Sequence, residues 1–145
     1  MLKYIILFGL LISMTAGATS LKDINLYITA SVIGVSGMPS NSITDRLIVT
    51  NNDDVIEVVT LVEEGGNGFS QYLVDAHVSG TSVLVTFPIL VGTGFDFSVD
   101  SISIEGNNVI LTGKQWAEGD AHCCPTISTT RTYILENHLF KQDKK

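Results

Sequence analysis

The chain has 145 residues, with 8 basic and 15 acidic side chains and a formal net charge of −7 at pH 7. Its acids are scattered from Asp23 to Asp143 with no basic stripe to neutralise phosphates, which argues against nucleic acid as a partner. The length suits one domain with a real core, and the only two cysteines are adjacent.

Met1-Leu2-Lys3 is a short basic start, Tyr4 to Met14 is an apolar run broken only by Gly9 and Ser13, and Ala16-Gly17-Ala18 supplies small residues. This is the order of a secretory signal, and the run is too short to cross a bilayer comfortably. We therefore expect residues 1–18 to be a signal peptide cleaved after Ala18. Residues 19–145 are then a mature β-rich domain, secreted or periplasmic and without a membrane partner. Neither cysteine lies near the cleavage point, so no lipid anchor is expected there.

Leu21 to Val35 is rich in β-branched residues, and Leu26, Ile28, Ala30 and Val32 alternate with Tyr27, Thr29 and Ser31, which predicts a strand. Residues 37–42 form a loop by composition. Strands are predicted at Arg46–Thr50 and Val55–Glu63 around the polar turn Asn51-Asn52-Asp53-Asp54. Glu64-Gly65-Gly66-Asn67-Gly68 is a turn, followed by strands at Phe69–Val78 and Ser82–Phe87, with Pro88 as a break. Gly92-Thr93-Gly94 reads as another turn. Phe95–Ile104 alternates with one shift, and Gly106-Asn107-Asn108 turns the chain into Val109–Gly113. Trp116 to Pro125 is a loop, and Thr129–Leu135 is the last strand. Lys141, Lys144 and Lys145 read as a short basic, solvated tail. Turn signals about every ten residues predict a mainly β single domain: an antiparallel sheet, sandwich or partly open barrel of about seven to nine short strands, with no helix longer than two turns.

From Leu61 onward the chain resembles a family of small exported bacterial proteins of unknown function, the LppP/LprE-like lipoproteins and their unanchored relatives. The residues that carry the resemblance are Glu64-Gly65-Gly66-Asn67-Gly68-Phe69 with Tyr72-Leu73, then Val99 to Gly106, and above all Asp120-Ala121-His122-Cys123-Cys124-Pro125-Thr126 followed by Arg131-Thr132-Tyr133. The resemblance implies export and a compact domain, and no reaction. Two features depart from the family. Gly92-Thr93-Gly94 stands where relatives often have Gly-Asp-Arg, and Asn51-Asn52-Asp53-Asp54 lacks the glycine of their calcium-like turns.

The Cys-Cys loop admits three readings. The first is a turn stiffened by a Cys123–Cys124 disulfide, with Pro125 fixing the exit; such a bond closes almost no loop and adds little entropic stabilisation. The second is a metal site of Asp120, His122, Cys123 and Cys124, because thiolate and imidazole suit copper(I) or zinc. The third is a redox or intermolecular thiol role. Trp116 is a candidate either for lining a binding groove or for capping the core. Arg131 and Tyr133, two apart on one strand face, are candidates for bracing the loop, Arg131 by pairing with Asp120. His77 and His138 are single histidines, and His77 reads as a half-buried packing residue. No paired carboxylates or nucleophile motif stand out. The expectation is a non-catalytic binding or interaction protein of the cell envelope or exterior, with no cofactor and an unidentified ligand. The alternative is metal or redox handling through the His-Cys-Cys loop.

Overall fold

A computed structural model describes residues 12–13, 20–65, 68–121 and 123–143. Of the segment read as a signal peptide, only Ile12–Ser13 (β1) falls among the described residues. Its backbone pairs antiparallel with Ser82 and Val83. His122, Lys144 and Lys145 lie outside the described residues.

The stretch expected to be the first strand is an α-helix, α1 (Leu21–Ser36). Its buried residues Ile24, Ile28 and Val32 are spaced four apart, which makes one helical stripe. Leu26, counted inward by the alternating pattern, is 61% exposed. The helix begins at a capping box: the Asp23 backbone N–H donates to Ser20 Oγ at 3.2 Å, and the Ser20 backbone N–H donates to Asp23 Oδ2 at 3.2 Å. It ends at Gly37, where φ is +70° and the N–H donates to the Ile33 carbonyl. β-branched residues weaken helix propensity by only tenths of a kcal/mol each, so caps and one buried stripe outweigh them.

Nine strands of four or more residues form one antiparallel sheet that is not closed into a barrel. They are β2 (Ile43–Asn51), β3 (Asp54–Val62), β4 (Phe69–Ser79), β5 (Ser82–Val85), β6 (Ile89–Thr93), β7 (Phe97–Glu105), β8 (Asn108–Gln115), β9 (Ile127–Glu136) and β10 (Leu139–Asp143). Two of them were not expected. Gly92 and Thr93 belong to β6, with the turn falling at residues 94–96, and Lys141 belongs to β10 rather than to a tail.

Both faces of the β3–β4 pair are buried, which explains the nearly continuous apolar run of β3. Val55, Val59 and Leu61 pack with Val74, Ala76 and the helix stripe. Ile56, Val58 and Leu73 pack on the other side with Val91, Phe97, Val99, Val109, Leu111 and Tyr133, so β6 to β9 curl over that face. Glu57 interrupts the helix side and is fully buried, but its Oε2 accepts from Arg46 Nη1 at 2.6 Å. Arg46 also donates to the Thr29 hydroxyl. Burial raises the Glu57 carboxyl pKa, and the Arg46 guanidinium opposes that rise.

β5 and β6 pair with successive segments of β4, and the register slips by one residue between them. Val85 faces Ala76, while Ile89 faces Leu73. One slipped residue exchanges the two sheet faces. Val83 and Val85 therefore pack toward α1, whereas Ile89 and Val91 pack on the opposite side. Pro88, which has no N–H to offer a ladder, sits in the slip. β6 and β7 share only the pair Thr93–Phe97. Beyond that pair the buried Gln71 side chain replaces a ladder: the Val99 N–H donates to its Oε1 at 2.7 Å, and its Nε2 donates to the Val99 carbonyl at 3.1 Å.

Candidate functional site

The sheet presents chemistry at both ends. At one end the loop of residues 116–126 joins β8 to β9, as the sequence predicts. Its hub is Asp120, whose Oδ2 accepts from the Ala117 N–H at 2.7 Å and the Thr126 N–H at 2.9 Å, while the Thr126 hydroxyl donates to the same carboxylate at 3.0 Å. The Ala117 N–H, with help from Thr126, holds the Asp120 carboxyl below the usual carboxylate range. Gly119 takes φ +89°, and the Cys124 N–H donates to the Ala121 carbonyl at 2.9 Å. Cys123 and Cys124 are exposed and disulfide-bonded to each other, with Cα atoms 3.8 Å apart. Trp116 is half-buried against Phe69, with ring centroids 6.1 Å apart. Its indole N–H is buried and meets no acceptor among the described residues.

Arg131 does not pair with Asp120. It forms a two-pronged pair with Asp96, each bond 2.8 Å, and donates to the Val91 carbonyl at 3.3 Å. Its guanidinium lies 4.4 Å from the Phe97 ring centroid. The reason is facing: Arg131 sits opposite Leu111 on the side that covers Phe97, and this directs it to the β6–β7 turn rather than to the loop. Tyr133 shares that face and is buried in the same cluster, so the two-residue spacing reads correctly. Arg131 holds the Asp96 carboxyl below its ordinary range, and burial raises the Tyr133 hydroxyl. Asp96 is half-exposed, so solvent screens the pair. Arg131→Ala should cost about 1–2 kcal/mol, combining the ring contact with a discounted ion pair. An unchanged melting temperature would show that the brace contributes nothing.

At the opposite end lie the β2–β3, β7–β8 and β9–β10 turns. Asp54 and His77 are direct partners across β3 and β4, with His77 Nδ1 2.7 Å from Asp54 Oδ1. Asn137 (φ +51°) and His138 (φ +58°) form the β9–β10 turn. That turn brings the His138 ring centroid within 4.5 Å of the His77 centroid. Asp54, His77 and His138 each offer one ligand atom, and these atoms all lie within 4.8 Å of one another. Beneath them is Asp75, fully buried, whose two carboxylate oxygens receive no hydrogen bond. His138 Nδ1 lies 3.8 Å from its Oδ2. Burial first, and then the neighbouring Asp54 charge, push the Asp75 carboxyl up to about 8.

His77 is half-buried as expected, yet its partner is a carboxylate rather than apolar packing. A hairpin centred on the glycine turn at 64–68 pairs position 54 with position 77, so that contact is contained in the sequence. His138 is not, because its turn depends on a strand hidden in an apparent tail. No family model, curated protein or solved structure matches the chain.

Proposed function

We propose that this is a non-catalytic binding protein of the cell envelope or exterior, and that the loop end of the sheet is its recognition surface. The observation that carries the reading is a surface loop fixed from within by Asp120 and stiffened by the adjacent-cysteine bond. Around it stand Phe95, 66% exposed on the β6–β7 turn, and Ile127, 48% exposed at the start of β9. A preordered loop loses little entropy on association, and exposed apolar anchors supply contact area. The apolar start of the chain supports export, and the acidic balance disfavours nucleic acid as the ligand. Metal handling by Asp120, His122, Cys123 and Cys124 is the weaker reading. The Asp120 carboxylate already accepts from several donors, and the two sulfurs are bonded to each other.

Co-sedimentation with isolated bacterial envelopes tests the proposal. Wild-type protein should pellet with the envelopes, and a Phe95→Ser/Ile127→Ser variant with an unchanged circular dichroism spectrum should stay in the supernatant. Equal sedimentation of both, or of neither, would overturn it.

A further inference from the structure

We propose that Asp54, Asp75, His77 and His138 form a binding site for a divalent transition-metal ion, with Zn²⁺ as its representative. This site shares no residue with the loop end and stands independently of the binding reading above.

The donor set comes first. Two imidazoles and two carboxylates match the ligands zinc takes, whereas calcium and magnesium prefer oxygen alone. Two carboxylates also neutralise a dication, leaving no net charge in a partly buried place. The spacing agrees. Four ligands about 2.0–2.2 Å from a tetrahedral zinc lie roughly 3.3–3.6 Å from each other. Asp54 and His77 are 2.7 Å apart and His138 and Asp75 3.8 Å apart, and the ligand atoms of Asp54, His77 and His138 all lie within 4.8 Å of one another. The trio of Asp54, His77 and His138 brackets the required distance, and Asp75, outside that trio, adjoins it through His138.

The second, independent observation is Asp75. Buried carboxylates are normally hydrogen-bonded or paired, because an unpartnered one loses its hydration without return. Asp75 has no exposed surface and receives no hydrogen bond, and its Oδ2 faces His138 from beyond hydrogen-bonding range. The ordinary Asp–His pairing satisfies Asp54 through His77 but leaves Asp75 unaccounted for. A cation among the four groups satisfies both. An ion also has a way in: a cleft of about 230 Å³, lined by Asp54, Asn107, Asn137 and His138 among others, opens beside the cluster. Asn107 and Asn137 belong to two of the turns that frame it.

The test uses the full chain, purified without a tag, stripped with chelator and titrated with zinc chloride by calorimetry. One ion should bind per chain, and zinc should raise the melting temperature. Removing an outer-shell partner of a metal ligand costs about 10–100-fold in affinity, so Asp75→Asn, His77→Ala and His138→Ala should each lose at least about 100-fold. Asp75→Asn keeps the shape of the buried group and serves as the variant that folds. A Cys123→Ser/Cys124→Ser variant should bind zinc as wild type does. Lack of saturable one-to-one binding would overturn the site. So would wild-type affinity in Asp75→Asn and His138→Ala, or loss of binding in the cysteine variant, which would move the ion to the loop.

Discussion

Asp75→Asn is expected to make the chelator-treated protein more stable at neutral and alkaline pH. Asp75 holds its proton up to about pH 8 in the folded chain, whereas an unfolded aspartate releases it near 3.8. Between those values the folded state binds more protons than the unfolded state, so stability falls as pH rises. The full contribution is present below about pH 4 and is lost progressively up to about pH 8. At pH 7 the cost is on the order of 4 kcal/mol. A buried amide without partners has its own cost of about 1–3 kcal/mol. The net gain of the asparagine variant should therefore be about 1–3 kcal/mol at pH 7 and should shrink toward zero or reverse at pH 4. Urea unfolding at pH 4, 6 and 8 with chelator present measures this directly. An asparagine variant no more stable than wild type at pH 8 would show that the carboxylate is better solvated than its surroundings indicate. The same substitution removes a proposed zinc ligand, so stability and metal affinity should move in opposite directions.

Among the described glycines, Gly113 should be the least tolerant of an added methyl, the change made by Gly113→Ala. Gly113 pairs with Val99 where β7 carries an extra residue between Val99 and Ser101. The bulge presses backbone against backbone. A Cβ at Gly113 would collide with the Ser98 carbonyl oxygen and lie 2.9 Å from its carbon and 3.0 Å from Val99 Cα. Backbone on both sides leaves no flexible side chain to yield. We expect a loss of about 3 kcal/mol or more, at or above the upper end for overpacked cores. Chemical denaturation measures it, with Gly34→Ala as the control. Gly34 is helical with open space around its Cβ position, and alanine there should stabilise by up to about 1 kcal/mol. Equal effects at the two positions would contradict the steric account.

Most of the sheet is legible in the sequence because its turns carry their own chemistry. Asn52 (φ +52°) and Gly106 (φ +60°) mark hairpin corners that composition alone locates. Even the bulge is visible, since the alternation of Phe95 to Ile104 slips by one where the extra residue lies. The helix is misread because alternation and four-residue spacing coincide over Leu26 to Val32. Ser20 with Asp23, Gly37, and the Ile24, Ile28, Val32 series are the signals that distinguish the two. β6 is hidden because Gly92 looks like a turn residue. It is a glycine for contact reasons, since an added Cβ would approach the Phe97 carbonyl oxygen to 2.5 Å. The loop at 116–126 is legible as a loop, but its wiring is not. The pairing of Arg131 with Asp96 depends on how far the sheet curls, and no local pattern encodes that. The Asp–His cluster depends on the same curl, together with a turn at Asn137-His138 that lacks the usual glycine.

The sheet is a meander: apart from β6, which returns to β4, each strand from β3 to β10 pairs with the one before it. Folding of such a chain can proceed by closing short loops in succession, and short closures are entropically cheap. The Asp54–His138 approach is a long-range contact of a different kind, because it joins the second strand of the meander to its last turn. A contact made only after the folding barrier acts on the rate of leaving the folded state rather than on the rate of reaching it. An occupied cluster would then serve as a latch on an already folded sheet, lengthening the lifetime of the folded state.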